Sequence, residues 1–247
     1  MPRVVAIYNI KGGVGKTSAA VNLAWLAAAG GARVLLWDLD PQGAATYLLR
    51  VKPKVKGGAR KLVGGSSDPA ALLKGTDHEL LDLLPGDFSY RNMDLVLDDT
   101  RRPTKGFARV LAPLADSYDY VFLDCPPAIS LASESVFGAA DVLLVPLIPT
   151  PLSLRTFDQL RDFVAADVAN APRILAFFSM VDGRKVLHTA VMATLSAGND
   201  GVLRSVIPAA SDVERMALER RALAQFAPRR RAGLAYQALW SELQGRL

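Results

Sequence analysis

The chain has 247 residues, 51% of them hydrophobic, and this size and composition predict one large domain with a buried core, spanning residues 1–247. A single cysteine excludes an internal disulfide, a zinc-thiolate cluster and an electron-transferring iron protein. Because neither a secretion signal nor an apolar run near the ~18 residues of a membrane span is found, we expect a cytoplasmic protein without stable membrane insertion.

The net charge of +5 lies entirely in the last third of the chain. Residues 1–172 carry 18 basic and 18 acidic side chains, whereas residues 173–247 carry 11 basic and 6 acidic ones. Such asymmetry is typical of a protein that binds a polyanion, but it also fits solvated arginines on helix faces. Composition leaves both interpretations open.

Seven strand-like apolar segments alternate with segments of helical period, which predicts an α/β fold: a mostly parallel, twisted sheet with helices on both faces. Runs of consecutive apolar residues, as at 142–145, are typical of strands buried on both sides. Ligands of such sheets bind beyond the carboxyl ends of the strands. The predicted strands cover residues 3–9, 33–38, 80–84, 119–124, 141–148, 173–180 and 202–207.

A glycine-rich run, KGGVGKT, occupies residues 11–17 directly after the first predicted strand. A strand that ends in such a turn and opens a helix directs several backbone N–H groups at one point, where a phosphate chain can bind. Lys16 would supply charge to the outer phosphates, and the Thr17 hydroxyl could ligate Mg²⁺. The general phosphate-loop pattern is not met, since residue 10 is isoleucine and an extra lysine, Lys11, opens the run.

Two further apolar strands end in carboxylates. Residues 34–43, VLLWDLDPQG, carry Asp38 and Asp40, and residues 118–127, YDYVFLDCPP, carry Asp124. Both strands place these aspartates at the edge where the glycine-rich loop lies. Cys125 has no histidine near it in the sequence, so we expect it to fill the end of a buried strand.

Two segments outside these motifs also permit predictions. Residues 50–67 carry six basic and no acidic residues among glycines, which predicts a solvated, poorly ordered loop, with a contact to nucleic acid or an acidic partner as the alternative. Residues 232–247 place Leu234, Tyr236, Ala238, Leu239, Trp240 and Leu243 at helical spacing, which predicts a helix packed on the core. With Arg246 as its one basic residue, that helix does not resemble a membrane-binding tail.

The three motifs, in this order, resemble the ParA/MinD family of P-loop ATPases with a deviant Walker A motif. Weaker similarity runs through residues 180–184 and 206–208 to the last helix, so the resemblance covers essentially the whole chain. It implies a P-loop NTPase fold, with ATP and Mg²⁺ as cofactors. It also implies hydrolysis of ATP to ADP and phosphate, slow until a partner stimulates it.

The resemblance assigns roles to single residues. Lys11, Lys16 and Asp40 would be catalytic, with Asp40 orienting the attacking water and Lys11 reaching the phosphates of a partner subunit. Thr17, Asp38 and Asp124 would hold or support the metal. The nucleotide would be bound by Gly12, Gly13, Val14, Gly15, Lys16, Thr17 and Ser18, and its adenine by Met180, Asp182 and Pro208.

The family further implies a partition or positioning ATPase that is cytoplasmic and nucleoid-associated. It would form an ATP-dependent sandwich homodimer, bind DNA without sequence preference, and hydrolyse ATP when a ParB-like or other cargo adaptor stimulates it. The DNA-facing residues would come from Arg184, Lys185, Arg204, Arg215, Arg220, Arg221, Arg229, Arg230 and Arg231.

In two features this chain differs from many members of the family. Residues 213–221 replace a frequent Glu-Ala-Pro pattern, and a helix-turn-helix segment is not found before the glycine-rich loop, so we do not expect a sequence-specific repressor. Two alternative functions stay open: a MinD-like membrane-associated regulator, which the tail disfavours, and a small-molecule synthetase of the P-loop superfamily, for which the basic last third has no use.

Overall fold

The computed structural model describes residues 1–168 and 170–247. Eight strands form one sheet in the spatial order β3-β4-β2-β5-β1-β6-β7-β8, parallel throughout except for the β3–β4 pair. The strands are β1 (Arg3–Ile7), β2 (Val34–Asp38), β3 (Lys74–Gly75), β4 (Leu81–Leu84), β5 (Tyr120–Asp124), β6 (Val142–Leu147), β7 (Arg173–Val181) and β8 (Val202–Pro208).

Helices cover both faces of this sheet, and each face has its own apolar cluster. On one face lie α3 (Gly58–Val63), α4 (Met93–Asp98), α5 (Gly106–Leu111), α6 (Leu131–Phe137), α7 (Pro151–Asp167) and α8 (Val186–Ser196). On the other face lie α1 (Lys16–Ala29), α2 (Ala44–Leu48), α9 (Ser211–Glu219), α10 (Leu223–Phe226) and α11 (Arg231–Gln244). Short 3₁₀ turns cover Pro69–Leu72, Phe88–Asn92, Pro103–Lys105 and Ala112–Leu114.

The fold class predicted from the sequence is confirmed, and each of the seven predicted strands is present within two residues of its expected bounds. The central strands β2 and β6 are buried at every position, as their unbroken apolar runs predict. The strand that the sequence did not indicate is β3, which has two exposed residues and pairs antiparallel at the sheet edge. Two residues are too few to show an alternating pattern.

The prediction of a poorly ordered loop at residues 50–67 is wrong. This segment contains α3, and its apolar residues Val55, Ala59 and Leu62 are buried in the core. The Val55 N–H donates to Asp87 over 2.8 Å, and the Ala59 N–H donates to the Ser89 hydroxyl over 2.9 Å. Ala59 and Leu62 lie three residues apart within α3, which is helical spacing, and the surrounding lysines and glycines obscured it.

The last helix, α11, packs on the core as predicted, with Tyr236, Leu239 and Leu243 buried. Leu234 and Ala238 are exposed, so these two members of the predicted apolar face are wrong. Trp240 lies edge-on to Tyr120, with 5.3 Å between the ring centroids. Among the described residues, none of the helices is both long enough and apolar enough to span a bilayer.

Gly233 lies where α11 closely approaches the turn that precedes it. A Cβ at Gly233 would collide with the backbone carbonyl of Ala227, whereas one at Gly245 would meet only ordinary contacts beyond 3.5 Å. We expect Gly233→Ala to lower the free energy of unfolding by about 1–3 kcal/mol in urea titrations. Gly245→Ala, directly after the end of the same helix, is the matched control and should change it by less than about 0.5 kcal/mol. Equal stability of the two variants would contradict this packing.

Candidate phosphate-binding site

The glycine-rich loop connects β1 to α1, and its backbone is fixed at both ends. Gly13 and Gly15 have φ angles of 69° and 93°, in the left-handed region where glycine is unstrained. Gly15 also lies against β7, because a Cβ there would be only 3.0 Å from the Ser179 hydroxyl. At the start of the loop, Asn9 donates to the Pro146 carbonyl over 2.8 Å and accepts from the Lys11 N–H over 2.9 Å. The loop therefore has a preformed shape.

Lys16 is the first residue of α1, and its side chain is almost fully buried. Its ammonium donates to the Lys11 carbonyl over 3.1 Å, the one hydrogen bond of this group found in the described residues. Burial lowers the pKa of Lys16, and the nearby charge of Asp124 opposes that shift. An ammonium group has three donors, so Lys16 retains capacity to bind an anion in the loop.

Asp38 and Asp124 lie side by side, because β2 and β5 are paired in register at their last residues. Both carboxylates are fully buried. The Asp38 carboxylate accepts from the Thr46 N–H over 2.8 Å and the Thr46 hydroxyl over 2.7 Å, and that hydroxyl accepts from the Gly86 N–H over 2.7 Å. Burial is the main cause that raises the pKa of Asp38 to about 6. Asp38 therefore ties the end of β2 to α2.

Asp124 differs from Asp38 in its hydrogen bonding. Neither of its oxygens accepts a hydrogen bond of good geometry within the described part of the chain. Burial, followed by the charge of Asp38, raises the pKa of Asp124 well above its usual range, and the neighbouring Thr17 hydroxyl and Lys16 ammonium act against this. A buried carboxylate without partners is costly, and an ion-binding role explains why it is present.

A Mg²⁺ ion fits these residues. The Asp124 carboxylate offers unpaired oxygens beside the Thr17 hydroxyl, and oxygen atoms are the ligands that Mg²⁺ prefers. Within the described residues, groups of three or more histidine, cysteine or acidic side chains suited to a metal are not found. The protein alone thus supplies few ligands, as is typical of an ion that arrives with the phosphates of a nucleotide.

An open cleft of about 530 Å³ extends from the loop towards the ends of β7 and β8. It brings together most of the nucleotide-binding residues predicted from the sequence: Gly12, Gly13, Gly15, Lys16, Thr17, Ser18, Asp40, Met180 and Pro208. Lys11, Val14 and Asp182 are not among its lining residues. Val14 is buried in the interior, and the carboxylate of Asp182 is bound by Arg184 through two 3.0 Å hydrogen bonds, which hold its pKa at about 2.

Several lining residues had not been predicted. They come from the β7 end, from the turn after Asp40, from the turn after β5, and from α9 and α11 on the far wall: Ser179, Gln42, Pro127, Val213, Glu214 and Tyr236. Gln42 and Pro127 lie inside the motifs already quoted, so they could have been inferred. Glu214 and Tyr236 reach the cleft through tertiary packing alone, and the sequence gives no signal for them.

The structure divides the nine basic residues predicted to face DNA into two groups. Arg184, Arg215 and Arg221 pair with acidic side chains, and Arg220 donates to a backbone carbonyl of another helix. The other group has exposed side chains without an ion pair in the described residues: Lys185, Arg204, Arg229, Arg230 and Arg231. The second group is the better placed to bind phosphates.

Comparison with known proteins gives the family. The model of a family described as AAA domain matches residues 2–171, well over half of the chain. The chain belongs to the ParA/MinD family of P-loop ATPases. A relative in this family is the sporulation initiation inhibitor protein Soj of Bacillus subtilis, 29% identical over 249 residues, with 98% of each chain covered.

Solved structures share the fold of this ParA/MinD family member. A plasmid partition protein of Borrelia burgdorferi superposes with a TM-score of 0.83 at 20% identity, covering 100% of this chain and 99% of that one. Cobyrinic acid a,c-diamide synthase of Mycobacterium smegmatis, with bound ADP and magnesium, superposes with a TM-score of 0.80 at 26% identity, covering 99% and 94%. An uncharacterized Pseudomonas putida protein is 38% identical over 148 residues, which are 60% of this chain and 56% of that relative. The matched region thus spans little more than half of that relative's length.

The buried carboxylates in this ParA/MinD family member predict a specific dependence on pH. The folded pKa of Asp38 is raised from 3.8 to about 6, and that of Asp124 is raised as well. The folded chain therefore binds more protons than the unfolded chain, and this contribution to stability is lost as pH rises from about 4 to about 6 and above.

Asp124→Asn removes one of these two coupled groups. We expect its free energy of unfolding to fall less with rising pH than that of the unmodified protein, because one carboxyl with a raised folded pKa is gone. Urea titrations at about pH 4 and about pH 7 measure the difference. Asp116→Asn, at an exposed carboxylate, is the control and should follow the unmodified protein. An identical slope for Asp124→Asn would show that folding does not raise the pKa of Asp124.

Proposed function

We propose that the chain is a ParA-like partition or positioning ATPase, which binds ATP with Mg²⁺, dimerises around it and hydrolyses it slowly until a partner stimulates the reaction. One observation carries the proposal: Asp124, a buried carboxylate without a well-formed hydrogen bond in the described residues, lies beside Lys16 and Thr17, which line an open cleft together with Asp40. This combination supplies an anion site, a cation site and a carboxylate for water in one place.

In the proposed site, the loop N–H groups and Lys16 bind the phosphates of ATP. Thr17 and Asp124 would hold Mg²⁺, which neutralises charge on the phosphate oxygens. Asp40 would orient the attacking water. One of its oxygens accepts from the Gln42 N–H over 2.9 Å, which fixes the carboxylate at the cleft wall and leaves its other oxygen for the water.

Dimer formation would depend on Lys11. Its backbone is fixed by Asn9 and Lys16, while its side chain does not line the cleft of its own subunit. We propose that it contacts the triphosphate bound to the partner subunit, so that loss of the γ-phosphate removes part of the binding energy between the two subunits. The nucleotide state would then control assembly, and a ParB-like or other cargo adaptor would control the nucleotide state.

Non-specific DNA binding is assigned to a patch formed by Arg229, Arg230 and Arg231, which we call the α11 arginine patch. These three exposed residues lie at the start of α11. Positive side chains are unfavourable at the positive end of a helix, unless an anion binds there. DNA phosphates supply such an anion without sequence preference, and this would associate the protein with the nucleoid.

A small-molecule synthetase is the second candidate. It is favoured by the 26% identity to cobyrinic acid a,c-diamide synthase over nearly the whole chain. A synthetase would use the cleft for a second substrate and would have no use for the α11 arginine patch. DNA binding that depends on ATP separates the two functions, because the synthetase predicts none.

Asp40→Ala tests the hydrolytic step. We expect turnover to fall by at least about 100-fold, because the water loses its orienting carboxylate, while ATP binding stays within about threefold. Single-turnover phosphate release and nucleotide titration measure the two quantities. Asp116→Ala, remote from the cleft, is the control for loss of an acidic side chain. Turnover of Asp40→Ala at the unmodified rate would remove Asp40 from the mechanism.

Charge removal tests the DNA interface. With ATP bound, the variant Arg229→Gln/Arg230→Gln/Arg231→Gln should bind random-sequence DNA more weakly and reduce the slope of log affinity against log salt by up to about 3. Lys52→Gln/Lys54→Gln/Lys56→Gln loses the same charge from the other basic segment and serves as the matched control. Weakened binding in the control alone would move the interface to residues 50–67. Absence of DNA binding in every nucleotide state would favour the synthetase.

A further inference from the structure

Two arginines adopt a backbone conformation that usually selects glycine. Non-glycine residues with positive φ in the described part of the chain are Arg50 at 60°, Met180 at 55° and Arg220 at 49°. Met180 lines the cleft. Arg50 and Arg220 are 170 positions apart, yet they lie together, Arg50 two residues beyond the end of α2 and Arg220 directly beyond the end of α9.

The two arginines bind each other's helix. Arg50, after α2, donates from Nε to the Arg220 carbonyl over 3.2 Å and from Nη2 to the Glu219 carbonyl over 3.1 Å, at the end of α9. Arg220, after α9, donates from Nε to the Tyr47 carbonyl over 3.0 Å, at the end of α2. Its guanidinium also lies 4.4 Å from the centre of the Tyr47 ring. We call this reciprocal pair the arginine clasp.

The backbone alone does not account for these arginines. At the end of α2, the Arg50 N–H donates to the Tyr47 carbonyl and the Val51 N–H to the Thr46 carbonyl, both over 3.1 Å. This is a helix ending in which glycine is the usual left-handed residue, because it carries no strain there. An arginine in that position costs conformational energy. The side-chain bonds of the clasp offset that cost, which indicates that the link between the two helices is what the arginines provide.

Both helices lie next to segments that line the cleft. The turn that leads into α2 carries Asp40, and Thr46 within α2 binds Asp38. The first turn of α9 carries Val213 and Glu214, which also line the cleft. The clasp therefore joins, at the C-terminal ends of α2 and α9, the segment that carries the proposed water-orienting carboxylate and a second segment that lines the cleft.

We propose that Arg50 and Arg220 are positioning residues for ATP hydrolysis, which hold α2 and α9 at a fixed spacing and so transmit contact between the nucleotide and α9 to Asp40. This inference rests on the proposed function. The charged groups around the clasp are consistent with it: Asp77 pairs with Arg50 over 3.5 Å, while Glu219 is engaged by Arg215 and Arg221, which leaves Arg220 to the Tyr47 carbonyl and ring.

Glycine substitutions remove the side-chain bonds of the clasp but keep the backbone conformation, because glycine adopts positive φ without strain. Without nucleotide, Arg220→Gly should raise hydrogen exchange at the Arg50 amide, and Arg50→Gly should raise it at the Arg220 amide, each by about tenfold. Lys52→Gly, an exposed lysine two positions from Arg50, is the control and should leave both amides unchanged. Unchanged exchange in both clasp variants would overturn the link between the helices, whether or not the protein binds ATP.

Kinetics then test the positioning role. We expect each clasp variant to lower kcat by about tenfold with KM within about twofold, and the double variant to be no worse than either single one, since both remove the same link. Arg220→Lys, which restores one donor, should recover part of the rate. If the unmodified protein turns over ATP and both glycine variants match it, the positioning role is wrong and the proposed function stands. If the unmodified protein binds no ATP, the proposed function fails and the positioning role fails with it.

Discussion

The burial of three ionisable side chains at one edge of a parallel sheet is the constraint on which this structure depends. Lys16, Asp38 and Asp124 are all withdrawn from water at the carboxyl ends of β1, β2 and β5. Burying an unpaired charge costs several kcal/mol, and two adjacent carboxylates repel each other. A bound ligand that carries both phosphate and metal would offset this cost.

The surrounding fold holds these charges in place without neutralising them. Strands buried on both faces supply the apolar burial that offsets the electrostatic cost, and polar side chains fix the segments that bear the charges. Asn9 fixes the loop, and Thr46 fixes Asp38 while also accepting from the Gly86 N–H. Asp124 receives no such bond in the described residues. Hydrogen bonds thus fix the loop and Asp38, whereas the oxygens of Asp124, the proposed metal ligand, accept none within the described residues.

The residues at this edge of the sheet could be predicted because each lies within a short, recognisable stretch of the sequence. A strand, a glycine-rich turn and a helix follow one another directly, so Lys16 and Thr17 can be located without tertiary information, and Asp38 and Asp124 each end an apolar run. Contacts between distant residues could not be predicted. The arginine clasp joins residues 170 positions apart, and the arrival of Tyr236 at the cleft depends on how α11 packs. Asp182 stays a prediction as an adenine contact, although its carboxylate is bound by Arg184.

The last helix gives a physical route between the proposed nucleotide site and the proposed DNA interface. Tyr236 lies in the lining of the cleft, while Arg231 begins the same helix five residues earlier, about 7.5 Å along its axis. Between them, Gly233 presses against the Ala227 carbonyl in the turn that carries the arginine patch. A helix so closely packed moves as a unit rather than bending. A displacement of Tyr236 by a bound nucleotide would therefore be transmitted to the α11 arginine patch, and the proposed nucleotide state would be linked to the proposed DNA affinity through rigid packing and not through direct contact.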